Sequence, residues 1–345
     1  MSAKLIILTE GNTNPLTAKT AASVIRYRTD EVVAILDSTC RGKTSGELLG
    51  VGGSIPVVGS LDEAPQADTL LIGIAPAGGK IPPAWRRLLL EAIDRGLDVI
   101  SGLHDFLSDD AELSAAAAQR GVTLHDVRKN NERSVARRRG IREACLRLQT
   151  VGTDCSVGKM VVAIELTRAL VERGHDAKFL ATGQTGIMIA GEGCPIDCVV
   201  ADFISGAVEQ MVIDHQQHEI ILFEGQGSLY HPSYSSVTLG LLHGAVPDGL
   251  ILCYEAGRQG VRGIDEISLP NLTDARRLYE TMAQIMHPCR VIAVAMNGRN
   301  LTDTEARAER ERVSSELELP VCDVMRDDPD VLADAALKLK RELGK

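Results

Sequence analysis

Residues 151–160 read Val-Gly-Thr-Asp-Cys-Ser-Val-Gly-Lys-Met, a glycine-rich loop ending in Gly158-Lys159 between an apolar run and a long helical pattern. In a strand–loop–helix setting, three features converge on one oligophosphate: successive backbone N–H groups, the positive end of the following helix and the lysine ammonium. Gly152, Thr153, Cys155, Ser156, Val157, Gly158, Lys159 and Met160 are therefore the expected ligand-binding residues. The spacing departs from the common form, with five residues between Gly152 and Gly158. Met160 stands where a Mg²⁺-ligating Ser or Thr is usual, and a thioether is too soft to replace that hydroxyl for a hard cation. A diphosphate that needs no metal, such as that of coenzyme A, fits the loop at no penalty, and no metal site is expected. The plainer alternative is a tight glycine turn with a surface lysine.

Further candidates lie at other strand ends. Strand 219–223 runs into Glu224-Gly-Gln-Gly-Ser228. Glu224 can ligate a cation, orient a substrate amine, or serve as general base once burial raises its pKa; it can also simply cap the next turn. Asp154, inside the loop, needs an amine or metal partner beside the phosphates, which an ammonium substrate would supply. His231, in Tyr230-His-Pro-Ser-Tyr234, is a candidate proton shuttle, with a hydrogen-bonding loop histidine as the alternative. Arg258 and Arg262 stand four residues apart among glycines and offer forks that read carboxylates or phosphates, unless they are solvated surface residues. Asp202 opens a helical pattern and joins them as a substrate-binding candidate. Cys155 is a candidate acyl-accepting thiol, acidified by the helix end. His104 or Asp105, after strand 98–101, could close a cleft from the first half of the chain.

These residues must be placed by an alternation of strand and helix. Patterns of period two and 3.6 predict strands at 5–9, 32–37, 69–75 and 98–101 and helices at 17–27 and 83–95 in the first half. Gly11, Gly50 to Gly53 and Gly78-Gly79 fall near strand ends, where an open α/β sheet has its ligand crevice. The second half predicts the strand into the loop, helix 158–173, strand 177–182, helix 202–216 and strand 219–223. Strand 249–254, helix 273–286, strand 290–297, helix 302–316 and a helix from Val331 follow. The expected fold is α/β: a Rossmann-like domain over 1–135 and a P-loop NTPase-like domain with a mostly parallel sheet over 136–345. The boundary falls in the basic stretch 128–144, whose Arg137-Arg138-Arg139 reads as a solvated connector or an anion contact.

At 345 residues, 44% apolar and 24% charged, the chain is long enough for two real cores. A formal net charge of −10 argues against nucleic acid or an anionic membrane and leaves a small molecule as partner. No 18-residue apolar run occurs and Met1 to Ile7 moves straight into a strand, so a cytoplasmic protein is expected, and homo-oligomerisation on base rates. The eight cysteines include no Cys-x-x-Cys pair; Cys194 and Cys198 alone make a weak zinc signal.

Three stretches carry a family resemblance: Gly73 to Gly79 through Ser101 to Asp109, Val151 to Met160, and Phe223 to Pro232. Together they resemble the DgcN-like family, whose named activity is D-glutamate N-acetyltransferase. The Gly-Thr-Asp…Val-Gly-Lys core is also similar to dethiobiotin synthetase, which has Thr where this chain has Met160. The resemblance implies transfer of an acetyl group from acetyl-CoA to the amino group of D-glutamate. On that reading the 152–159 loop holds the CoA diphosphate, Arg258 and Arg262 bind substrate carboxylates, and Glu224 or His231 takes the amine proton. Two rivals stay open. One is an ATP/Mg-dependent ligase or kinase with Asp154, Lys159 and Glu224 around the nucleotide; the other is a regulator that binds a nucleotide or CoA without turnover.

Overall fold

The computed structural model describes residues 3–74 and 79–345, apart from the Asp265 side chain. Ala75 of the expected strand 69–75 and Gly78 of the expected glycine pair lie outside the described residues. The chain divides into two compact units, one of Met1–Lys129 with Ile187–Glu192, the other of Asn130–Gly186 with Gly193–Lys345.

In the first unit, strands β1 (Leu5–Leu8), β2 (Val32–Leu36), β3 (Val57–Val58), β4 (Thr69–Ile72), β5 (Asp98–Ser101) and β6 (Leu124–Asp126) form one parallel sheet in the order β3-β2-β1-β4-β5-β6. Helices α1 (Lys19–Tyr27), α2 (Ser45–Leu49), α3 (Arg86–Asp94) and α4 (Ala111–Arg120) connect them. β1 and β4 are buried along their whole length, as strands covered on both faces require. The order is that of a doubly wound Rossmann-like sheet. Asp37, at the end of β2, is fully buried. Burial alone would raise its pKa, but hydrogen bonds from Thr13, Thr39 and Gly11 hold the carboxyl below the ordinary value and occupy its oxygens.

The second unit carries β7 (Leu146–Gly152), β8 (Ala177–Leu180), β9 (Ile220–Phe223), β10 (Gly249–Glu255), β13 (Arg290–Asn297) and β14 (Val321–Cys322), all parallel, in the order β14-β13-β10-β7-β9-β8. A two-stranded hairpin, β11 (Gly260–Val261) and β12 (Ile264–Ser268), leaves the end of β10. The helices are α5 (Lys159–Glu172), α6 (Gln184–Ala190), whose residues from Ile187 on belong to the first unit, α7 (Ile204–His215), α8 (Ser235–Ala245), α9 (Leu272–Gln284), α10 (Asp303–Leu317) and α11 (Asp330–Glu342). Leu146, Leu148, Leu166 and Leu170 pack with Leu332 and Ala336 on one face of the sheet. On the other, Leu250 and Leu252 meet Ala275 and Tyr279, and Ile221 and Phe223 meet Val208 and Leu241. β7 is thus central and buried throughout, and it delivers its C-terminal loop to a fixed place.

Helix α8, helix α6 and the hairpin were not anticipated by periodicity. α8 contains Gly240 and Gly244, which lower intrinsic helix propensity. A Cβ at Gly240 would come within 2.6 Å of Ile204, and one at Gly244 within 2.6 Å of Ser205 and Val208. Close approach to α7 is what those glycines permit. The Arg137–Arg139 connector is clamped rather than free: the N–H groups of Arg137 and Arg138 both donate to the buried Glu209 carboxylate, at 2.7 and 2.9 Å.

One core residue is out of keeping with its surroundings. Gln149, in the middle of β7, is fully buried, and among the described residues neither its Nε2 nor its Oε1 has a hydrogen-bond partner. Because an unsatisfied buried amide costs about 1–3 kcal/mol, Gln149→Met, of similar length, is expected to be neutral or to stabilise the protein by roughly 1 kcal/mol. Urea unfolding of the two proteins measures this. A loss above 1 kcal/mol would mean the amide is satisfied by a buried water.

Candidate functional site

The phosphate-type loop forms because β7 ends in Gly152 and the chain must reverse into α5 without a side chain in the turn. A Cβ at Gly152 would fall 2.8 Å from Val157 and 3.0 Å from the Cys253 carbonyl. Gly158 supplies the N-cap with φ +109°, a conformation that favours glycine, and no side chain caps α5. Its first-turn N–H groups are therefore left for an anion. The loop is braced from outside. Tyr279 Oη donates to Gly152 O at 2.7 Å, Ser228 Oγ to Thr153 O at 3.0 Å, and Thr153 N–H to Cys253 O at 3.1 Å.

Lys159 is buried within this frame, and its Nζ donates to Asp154 O at 2.8 Å. Burial pushes its pKa down, opposed by the nearby Cys155, Cys253, Asp154 and Glu224. Among the described residues no carboxylate is in contact with this ammonium, so its charge is available to an incoming anion.

Glu224 stands at the end of β9, the strand paired with β7. It is 4% exposed, and burial pushes its carboxyl up to about 7, against hydrogen bonds from Thr182, Gly183 and Gln226 that favour the charged form. Its Oε2 accepts from the N–H groups of Thr182 and Gly183 at 3.0 and 3.1 Å. A Cβ at Gly186 would lie 2.3 Å from that oxygen, and one at Gly225 would lie 2.9 Å from Lys159 Cδ. The fold thus keeps a carboxyl near neutrality beside the loop, which is what a general base for neutral pH needs.

The other expected residues behave differently. Asp154 is fully buried; its Oδ1 accepts from Cys155 N–H at 2.7 Å and its Oδ2 from Arg258 Nη1 at 2.9 Å and Arg262 N–H at 2.8 Å. The amine partner it needs is therefore an arginine of the same chain. Arg258 also donates to Cys155 O at 2.8 Å and pairs with Glu255, which takes Arg299 and Asn300 as well. Its fork is committed inside the site instead of facing a ligand. Arg262 is the opposite case: its guanidinium is exposed and has no partner among the described residues.

His231 has both ring nitrogens in use. Ser233 N–H donates to Nδ1 at 3.2 Å, so Nε2 carries the proton and donates to Arg262 O, also at 3.2 Å. With both ring nitrogens hydrogen-bonded inside the protein, His231 is a clasp on the hairpin. Cys155 is not acidified: burial raises its thiol above the ordinary value despite the nearby Lys159 and arginines. Asp154, Cys155 and His231 bring possible ligand atoms within 4.8 Å of one another, yet the Asp and His atoms are already bonded as described. Asp202 sits exposed in the 3₁₀ turn Ala201–Phe203 ahead of α7. In the first unit, His104 and Asp105 both donate N–H to Gly79 O. Thr182, Gly183 and Gly186 were missed, although the rule that ligands sit at C-terminal strand ends covers Thr182-Gly183 after β8.

Residues 134–333 match a family model described as a domain of unknown function, DUF1611_C, a P-loop domain. Residues 38–130 match its companion DUF1611_N, a Rossmann-like domain. A protein from Tritonibacter scottomollicae named D-glutamate N-acetyltransferase is 40% identical over 328 residues, 93% of this chain and 94% of its own. One of the same name from a Pseudoalteromonas species is 38% identical over 265 residues, 76% of this chain and 80% of its own. The crystal structure of a DUF1611 family protein from Anabaena variabilis superposes with a TM-score of 0.92 at 37% identity, covering 97% of this chain and 99% of that one. The family resemblance read from the three sequence stretches is borne out by these relatives. Among the described residues no helix is long and apolar enough to cross a membrane.

Proposed function

The chain belongs to the DUF1611 family, and from that membership and the state of Glu224 we propose that it is an N-acetyltransferase moving the acetyl group of acetyl-CoA to the amine of D-glutamate. Both named relatives support the reaction, and the loop suits a CoA diphosphate because Met160 offers no Mg²⁺ ligand. The single observation that carries the mechanism is a buried carboxyl with a pKa of about 7 beside an uncapped helix start and a buried lysine.

On this reading the Glu224 carboxylate takes a proton from the substrate ammonium, and the freed amine attacks the thioester carbonyl. An N–C bond forms and the C–S bond breaks; of the two protons that the nitrogen gives up, the one held by Glu224 passes to the departing CoA sulfur and the other is released to water. Backbone N–H groups of the loop stabilise the oxyanion between these steps. Arg262 reads a carboxylate of the acceptor, and no acyl-enzyme on Cys155 is needed.

Thiol release from acetyl-CoA with a panel of D- and L-amino acids, with and without EDTA, tests the reading. Release with D-glutamate that survives EDTA is expected. Silence with every amino acid, accompanied by ATP turnover on adding Mg²⁺, would move the protein to the ligase or kinase class.

A further inference from the structure

Arg262 has both backbone polar groups bonded to the site, while among the described residues its side chain has no hydrogen-bond or ion-pair partner. Its N–H donates to Asp154 Oδ2 at 2.8 Å and its carbonyl accepts from His231 Nε2 at 3.2 Å. It forms the tip of the β11–β12 hairpin with Gly263, whose φ of +79° fills the turn position reserved for glycine. The guanidinium is close enough for its charge to act on the Cys155 thiol in the phosphate loop. A main chain pinned on both sides fixes where the Arg262 side chain starts, and nothing in the described residues consumes it.

Asp154 is the member shared between this hairpin and the loop. Its Oδ1 holds Cys155 N–H, and its own carbonyl holds the Lys159 ammonium at 2.8 Å. Both donors belong to the cradle that an entering diphosphate would use. When an anion draws them away, the Asp154 carboxylate is left to Arg258 and to the Arg262 N–H, which strengthens its hold on the hairpin.

We propose that Asp154 is a positioning residue coupling the two halves of the site: a diphosphate in the loop tightens the Arg262 hairpin and so raises affinity for the carboxylate of the acceptor amino acid. This rests on the acetyltransferase reading for the identity of the acceptor, whereas the coupling itself rests on the hydrogen bonds. Linkage makes it reciprocal, so the amino acid must tighten CoA by the same factor.

The test is amide hydrogen exchange of residues 260–264 in the full chain with and without coenzyme A, for wild type, Asp154→Asn, His231→Ala and His231→Gln. In wild type, CoA is expected to slow exchange about tenfold, a typical coupling. Asp154→Asn, checked for cooperative unfolding, loses that effect, and its KM for D-glutamate rises by a similar factor with kcat changed less. His231→Ala weakens the clasp, and His231→Gln, which keeps an N–H toward Arg262 O, restores it. A merely structural Asp154 would not separate KM from kcat in this way. CoA that leaves the wild-type hairpin unchanged, or Asp154→Asn that keeps the CoA effect, overturns the proposal. Exchange needs no turnover, so CoA-dependent protection without acetylation of D-glutamate refutes the reaction and sustains the coupling.

Discussion

The Glu224→Gln protein is expected to lose about 10²- to 10⁴-fold in kcat, the usual contribution of a positioned general base, while becoming more stable above neutral pH. Glutamine keeps an oxygen for the N–H groups of Thr182 and Gly183, so the local frame survives. What disappears is the proton acceptor. In wild type the carboxyl titrates at about 7, so kcat rises with pH through that value as the carboxylate forms; in the variant that acid limb is gone. Stability runs the other way. The folded pKa of about 7 lies above the ordinary 4.5, so the folded protein holds a proton that the unfolded chain has released. This group's contribution therefore weakens as pH rises from 4.5 through 7, with a cost on the order of 3 kcal/mol at pH 8. Removing the charge removes that cost. A variant within fivefold of wild-type kcat, or one keeping the same acid limb, would exclude Glu224 as the base.

Lys159→Met, which preserves the apolar stem and deletes the ammonium, is expected to weaken CoA binding on the order of 10²- to 10³-fold, the range for losing one partner of a buried charged contact. Thiol release should fall at least as far. Folding should not suffer, since burial already disfavours the charged form and, among the described residues, Nζ bonds only a backbone carbonyl, that of Asp154. Calorimetric titration of CoA, beside a thermal melt, separates the two effects. A dissociation constant within threefold of wild type would show that the loop does not hold the diphosphate.

Much of this site is written in local sequence. The strand, the Gly152–Lys159 loop and α5 follow from an apolar run, two glycines and a helical period, all within 27 residues. Glu224 was legible for the same reason, as a carboxylate directly after a hydrophobic strand. The two sheets were legible as α/β layers because buried parallel strands are short apolar runs between amphipathic helices. α8 escaped because its glycines serve contact with α7, and helix propensity records nothing of a neighbour.

The sequence by itself determined which chemical groups reach the C-terminal edge of the second sheet: the phosphate loop, a lysine, a carboxylate and two arginines. Only the tertiary structure decided their states. Arg258 and Arg262 look equivalent four residues apart, yet Asp154, 104 positions from Arg258, and Glu255 absorb the first and leave the second open. His231 looks like a shuttle until Ser233 and Arg262 take both ring nitrogens. Cys155 sits in the loop ahead of a helix start, yet burial outweighs the nearby Lys159 and arginines and raises the thiol. Residue type and strand-end position are properties of the nearby chain. Protonation and pairing depend on desolvation and on partners about a hundred residues away, which exist only once the chain has folded.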